Sequence, residues 1–489
     1  MRTAQALYSP LTDAQVEAIH EAALQILETT GVAYESGLEE AAALLEGAGA
    51  RVSRQEMRIR LPRELVTARV AEAPGRVILC GRDGAPDLDL EGDRVHLGTG
   101  GAAVKVLDLD SGEARSTTLR DIYEIGRLVD RLEHIDFFVR PCIPTDIPEA
   151  AYDVNVFYAC LKATGKHVMA GVNDVEGLHR VLELAATVAG SADALRERPF
   201  LSLITSFAIS PLKLCTQSTQ ILLEAVRHRV PVALSSAPMA GSTSPITMAG
   251  TLAQVHAEEL AGITLCQVAS PGAPVLYGGI PGMADLLTMG YQGGGVECGV
   301  MNAAVHQLAR RVGVPNYNSS GLSDSKLPDT QAGWEKAMTT LLASMGGSNY
   351  IHHAAGMLES MLTVAYEQYV IDDEIIGMSK KVLQGIPVDA EHLALQVIDA
   401  VGPGGNFMME DHTLEHMRRE YFAGNGVTDR SGRAAWEAAG APDARQRARA
   451  IARKLLAEGG EGHLAPQVDR QIRQRFDILL QVPAGSGGS

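Results

Sequence analysis

Residues 320–337, SGLSDSKLPDTQAGWEKA, place a hydroxyl, a carboxylate and an ammonium (Ser323, Asp324, Lys326) between an extended run and an amphipathic stretch. A lysine near a strand end can form a Schiff base with a carbonyl substrate, but such lysines usually lie within the strand. Lys326 instead follows a five-residue loop that it shares with Asp324, which favours a salt bridge or a substrate anchor. Downstream, His352 and His353 stand side by side in an apolar run. Strand alternation sends one imidazole inward and the other outward. Glu359 follows closely enough to put a carboxylate at the end of that run.

Two further patterns match chemical motifs only formally. GTGGAA (98–103) fits G-x-G-x-x-A, but the VKVLDLDSGE that follows reads as a second strand and turn. A dinucleotide site needs a helix there, to hold the pyrophosphate at its N-terminus. HTLEH (412–416) fits the H-x-x-E-H zinc pattern, yet it sits in the charged stretch EDHTLEHMRREYF and reads as a solvated helix face. No metal of the protein's own is expected.

The elements that must position these residues repeat from about residue 135. Seven short apolar runs, each followed by a Gly/Pro/Ser/Asn-rich loop and a helical pattern, begin at residues 134, 166, 200, 231, 274, 315 and 349. An eighth strand is expected from VHLGTGGAAVKVLD (95–108). The spacing is that of a strand, a crossover helix and a return, so the chain reads as α/β, a TIM (β/α)8 barrel with helical additions at both ends. A doubly wound open sheet is the structural rival. The expected division is a mostly helical extension over 1–90, the barrel over 91–371, a helical segment over 372–480 and a flexible tail over 481–489. Within the barrel, Asp329 is read as an N-cap, Trp334, Met338, Leu341 and Met345 as one packed stripe, and Gly346-Gly347 as the helix end.

Composition narrows the partners. A formal net charge of −17, 4% aromatic residues and no run of Lys or Arg argue against nucleic acid or an anionic membrane. The absence of a signal-like or membrane-spanning apolar stretch gives an expected cytoplasmic location. The six cysteines are scattered and read as reduced, mostly buried thiols. A homo-oligomer is the expected assembly.

Taken together, MAGSTSPITMAG (239–250), LAGITLCQVASPGAPVLYGGI (260–280), SDSKLPDTQAGWEKA (323–337), NYIHHAAGMLESMLTVAYEQYVIDDEIIG (349–377) and GPGGNFMMEDHT (402–413) resemble the trimethylamine methyltransferase family over nearly the whole chain. The resemblance implies a barrel that moves a methyl group from an amine to the cobalt of a separate corrinoid protein. Founding members use pyrrolysine, whereas this sequence is written in standard residues. It therefore fits the branch that demethylates quaternary amines such as glycine betaine. A quaternary ammonium departs as a neutral tertiary amine, so no activating residue is obligatory. The D-x-H-x-x-G pattern of corrinoid carriers is absent, so the corrinoid is expected on the partner.

On that reading the protein positions and desolvates its substrate. Phe207 and Tyr277 are candidate aromatic faces for the cation, and Asn318 a polar contact. Lys326, Arg140 and one of the paired histidines are candidates for a betaine carboxylate, with Asp324 and Glu359 beside them. Gly98, Gly100, Gly101, Gly294 and Gly295 are candidates for close approach of the corrinoid ring. The alternatives are a non-catalytic quaternary-amine binding or sensing protein, and a Schiff-base lyase using Lys326.

Overall fold

A computed structural model describes residues 7–458 and 462–481. Eight short strands, labelled by position, lie parallel: β1 (His96–Thr99), β2 (Phe138–Val139), β3 (Val168–Ala170), β4 (Leu201–Thr205), β5 (Val232–Ser236), β6 (Val275–Gly279), β7 (Tyr317–Ser319) and β8 (Tyr350–Ala355). Ladders join β2 to β6 in order, and β7, β8 and β1. Single parallel bridges, Tyr277 to Asn316 and Gly98 to Phe137, connect the two groups. The pairings thus run in a cycle. These strands are buried along nearly all of their length because they are covered on both faces.

Each strand is followed by a helix: α1 (Leu119–Asp130), α2 (Tyr152–Ala163), α3 (Val175–Ala189), α4 (Thr216–Arg227), α5 (Met248–Ala269), α6 (Val296–Val312), α7 (Thr330–Met345) and α8 (Tyr366–Gln384). All seven expected runs supply strands. Of the stretch 95–108, only His96–Thr99 joins the cycle. Lys105–Leu107 pairs instead with Ala114–Ser116 and Thr363–Ala365. The chain after GTGGAA is therefore a second strand and a hairpin, as its sequence indicates.

Helix α7 starts where expected, with the Asp329 carboxylate accepting from Ala332 N at 3.0 Å, and Gly346 caps its end. Its buried face is not the expected one. Trp334 is 60% exposed and Met338 is also exposed, whereas Ala332, Lys336, Thr339, Thr340, Ala343 and Ser344 are buried. Small side chains let α7 approach α6 closely, and Lys336 finds a buried partner, so the bulky stripe is left outside.

The segment before the cycle is mixed rather than mostly helical: three α-helices alternate with five three-residue strands. Its helices Asp13–Gln25, Glu39–Gly47 and Arg63–Val70 cover α5, which explains why α5 is buried on nearly every side, Glu258 and Glu259 included. The hairpin of Val77–Leu79 and Leu88–Leu90 inserts Leu79 and Leu90 among Phe137, Met169, Leu276, Tyr317 and Tyr350, closing the N-terminal end of the strands. At the other boundary, α8 crosses the expected break at 371/372, so the eighth helix belongs with the strands. Helix Ala444–Ala457 rests on α8 through Arg445 and Arg449, each 3.0 Å from the buried Glu367. Residues 482–489 of the expected flexible tail lie outside the described residues. No described helix is long and apolar enough to cross a membrane.

Candidate active site

Alternation along the strands sorts side chains into two sets. Phe137, Val139, Met169, Ala233, Leu276, Tyr317 and Tyr350 form one cluster enclosed by the strands, while Val168, Leu203, Val232, Leu234, Val275 and Tyr277 pack against the helices. The inner cluster has an aromatic floor. Phe137 stacks on Tyr350 at 3.6 Å, and Tyr317 lies 5.7 Å from Tyr350. The hydroxyls of Tyr317 and Tyr350 are buried without a hydrogen-bond partner. One step further along the strands, alternation brings in Gly171, Ser235, Gly278 and Ser319 beside His352. These small residues claim little of the interior.

His352 stacks on Tyr317 at 4.3 Å and hydrogen-bonds through Nδ1 to the Asn318 carbonyl at 2.7 Å. His353 does not go to the opposite face as alternation predicts. It takes a left-handed backbone conformation, φ 67°, where the register with β1 shifts, and its ring lies 3.6 Å from that of His352. The bulge breaks the two-residue period. Its Nδ1 pairs with the Ser319 hydroxyl at 2.7 Å, and the ring also bonds to the Gly101 backbone. Burial holds the His352 imidazole down to about 3, and burial together with the neighbouring His352 holds His353 well below the usual histidine range. Both are neutral at pH 7. Toward a carboxylate these rings offer hydrogen bonds rather than charge.

The rim beyond β7 and β8 is tied by carboxylates. Glu335 accepts from the Ser323 hydroxyl at 2.7 Å and from Asp324 N at 2.9 Å. Asp324 accepts from Gly293 N at 2.9 Å and from the Ser360 hydroxyl at 2.5 Å. One loop after each of β6, β7 and β8 is therefore pinned at Asp324. Lys326 is exposed, and its ammonium donates to the Asp324 carbonyl at 2.9 Å rather than to the carboxylate. Glu359 accepts from Thr363 at 2.6 Å and begins three consecutive left-handed residues, Glu359, Ser360 and Met361, with φ 50°, 51° and 79°. Non-glycine residues rarely hold such angles unless their surroundings over-determine them.

Beneath the rim, Lys336 supplies that determination. Its ammonium donates to the Gly321 and Met357 carbonyls and lies 3.2 Å from the Asp372 carboxylate, which in turn accepts from Gly356 N at 2.7 Å and Gln368 at 2.8 Å. Sequence reasoning missed Lys336, Glu335, Tyr317 and Tyr350. Tyr317 and Tyr350 were legible as the residues two positions before Ser319 and His352. Lys336 was hidden by the assumption that a charged helix residue faces water.

Several other expected site residues lie elsewhere. The Tyr277 hydroxyl bonds His256 at 2.8 Å, and His256 bonds His20 at 2.9 Å, all between β6 and the helices. Phe207 packs against Gly262 of α5, where any Cβ would strike its ring. Asn318 donates to the Asn302 carbonyl and Ser348, outside the strands. Arg140 turns to Tyr152 at the start of α2, 2.9 Å away, with its Nε buried and unpaired. Alternation explains each placement: these residues occupy the helix-facing positions of their strands or strand ends. Among the glycines, the spaces beside Gly98 and Gly100 are filled by Phe137 and His353 of the same chain, and that beside Gly294 by Glu335. At these three positions the missing side chain makes room for the chain's own packing. Gly101 and Gly295 are partly exposed, and Gly295 is the N-cap of α6. The HTLEH histidines have ring centroids 4.3 Å apart and tilted by 32°, and His416 is buried with its ring paired to Glu391, so the expected solvated face is only partly so.

The arrangement combines aromatic faces, two neutral imidazoles and a braced polar rim. That suits holding and desolvating a small cation more than transferring protons. A family model described as trimethylamine methyltransferase (MTTB) matches residues 1–477. A trimethylamine methyltransferase of Desulfitobacterium hafniense strain DCB-2 is 39% identical over 437 residues, covering 89% of this chain and 87% of that one. The glycine betaine methyltransferase of Desulfitobacterium hafniense strain Y51 is 34% identical over 468 residues, covering 95% and 96%. The trimethylamine methyltransferase of Methanosarcina barkeri is 34% identical over 477 residues, covering 96% and 94%. A match of this extent, over strands, helices and flanks alike, makes the chain a methyltransferase that belongs to the trimethylamine methyltransferase family.

Proposed function

We propose that the chain moves a methyl group from a quaternary amine, glycine betaine or a related betaine, to the Co(I) of a corrinoid carried by a separate protein, and that its cyclic strand pairing is a (β/α)8 barrel. One observation carries the substrate class: the neutral His352–His353 pair stands over the Tyr317–Tyr350–Phe137 floor. Aromatic faces attract a quaternary ammonium, and uncharged imidazoles beside it add no repulsion. A tertiary amine would need its nitrogen protonated or otherwise activated, and two imidazoles held neutral are poor acids for that task.

The docked corrinoid supplies the nucleophile that accepts the methyl group. The strand ends fit its approach. Val104, Ile246, Leu287, Met289, Leu327 and Leu362, from loops after β1, β5, β6, β7 and β8, are large, apolar and exposed on the same side as Gly101 and Gly295. This chain's residues do the rest. The aromatic floor and imidazoles hold the cation, Ser319 and the Gly101 backbone fix the His353 ring, and the Asp324–Ser360 tie keeps the rim closed against water. Lys326, exposed on that rim, is the candidate partner for a substrate carboxylate.

The test follows the loss of Co(I) absorbance with glycine betaine, proline betaine, carnitine, choline and trimethylamine. Turnover of at least one quaternary amine is expected. Reaction of trimethylamine alone would overturn the substrate class. Betaine binding without turnover would favour a sensor.

A further inference from the structure

The outer layer of helices holds a cluster that the proposed methyl-transfer site does not use. His179 stands in the second turn of α3, and Glu224 and His228 stand one turn apart at the end of α4. Residues four apart share one face of a helix, so α4 presents its two side chains together. The inward faces of both helices are apolar, through Leu178, Val181 and Leu184 on α3 and Leu222, Leu223 and Val226 on α4. That leaves the three polar side chains at the outer seam between the helices.

Their donor atoms converge. The Nε2 atoms of His179 and His228 lie 2.8 Å and 3.2 Å from the same Glu224 oxygen, Oε1, and the two rings meet edge-on with centroids 5.5 Å apart. Two donors bound to one zinc ion at about 2.1 Å and at the tetrahedral angle stand about 3.4 Å from one another. One donor atom from each of the three side chains already lies within 4.8 Å of the others. The rings are 51% and 47% exposed, so side-chain rotation can close the triangle and water can fill the open position. Among the described residues no other three histidine, cysteine or carboxylate side chains gather so closely, the HTLEH histidines included.

The carboxylate suits the role. Glu224 is held below the usual carboxylate range, first by its hydrogen bond with His179, and is ionised as a metal ligand must be. Its other oxygen, Oε2, lies 3.5 Å from Arg227, which also pairs with Glu40. Such an outer partner orients a ligating carboxylate, and Glu40 offsets the guanidinium's charge.

Ligand type selects the ion. Calcium and magnesium take oxygen ligands, whereas two imidazoles and a carboxylate suit zinc and its first-row neighbours. Position assigns the role. His228 caps α4 just before β5 begins, at the N-terminal end of the strands and opposite the loops of the proposed methyl-transfer site. An ion there ties two neighbouring helices and takes no part in the reaction.

We propose that His179, Glu224 and His228 form a structural site for a zinc-class divalent ion that clamps α3 to α4. An ion bound by the folded chain alone raises its stability. The test titrates Zn2+ into the metal-stripped full chain by isothermal calorimetry, with thermal unfolding alongside, and neither readout passes through methyl transfer. One ion per chain, bound at micromolar Zn2+ with a rise in Tm, is expected. His179→Ala, His228→Ala and Glu224→Gln are each expected to weaken binding at least ~100-fold. As changes to surface groups, they should leave the metal-free Tm nearly unchanged. His412→Ala with His416→Ala is expected to leave the site intact. Binding seen only at millimolar Zn2+, binding that survives loss of either His179 or His228, or a site that follows His412 and His416 would each overturn the proposal.

Discussion

The ammonium of Lys336 lies 3.2 Å from the carboxylate of Asp372, and both side chains are sealed from solvent. The pair braces the loops after β7 and β8, which carry Asp324 and Glu359, so the geometry of the rim depends on a charge pair that never touches it. Removing one partner strands the other charge in a dry interior. Lys336→Met is therefore expected to lower stability by roughly 3–5 kcal/mol, and adding Asp372→Leu to recover part of that loss. Equilibrium denaturant unfolding measures both, and a single variant as stable as the wild type would dismiss the brace.

Acid should destabilise the protein early. His167, His256, His352 and His353 are all buried with lowered pKa, His167 to about 4 and His352 to about 3. The unfolded chain binds protons at these sites below its ordinary histidine pKa while the folded chain does not. Stability is then full above about pH 6.5 and falls as pH drops below it, by roughly 1.4 kcal/mol per pH unit for each such histidine. Buried carboxyls oppose this in part, since Asp153 is raised to about 6 by burial. Unfolding midpoints at pH 7.5, 6.5 and 5.5 should decline, and replacing His352 by Gln should flatten the decline.

Tyr317 separates ring from hydroxyl. Its hydroxyl is unpartnered, so Tyr317→Phe should leave stability and methyl transfer nearly unchanged. Tyr317→Leu removes the ring on which His352 stacks and, by loosening that imidazole, should raise the apparent KM for the quaternary amine about tenfold. Equal effects of the two changes would remove Tyr317 from the cation's surroundings.

Lys326 separates substrates. If its ammonium meets a carboxylate, Lys326→Ala should raise KM for glycine betaine several-fold and leave choline, which has no carboxylate, unaffected. Equal loss for both would reduce Lys326 to its hydrogen bond with the Asp324 carbonyl. Steady-state assays on the two amines decide it.

The eight strand-loop-helix units and the N-cap at Asp329 were readable because local periodicity and capping act within a few residues. The family was legible for the same reason, from blocks of sequence in order. The candidate site was only half legible. His352, His353, Asp324 and Glu359 were named, but the aromatic surface was assigned to Phe207 and Tyr277, which face the helices. Choosing a face requires the register of each strand against its neighbours, and a two-residue period gives two equal choices until the ladder is known.

What the sequence by itself determined is the order of elements and the chemistry available to them. Only the tertiary structure decided which side each group faces. A left-handed bulge at His353 placed two neighbouring imidazoles together, and a partner 36 residues distant let Lys336 turn inward. Both outcomes arise because a side chain's free energy depends on which distant group reaches it, and burial of a polar group is tolerated only where that partner arrives.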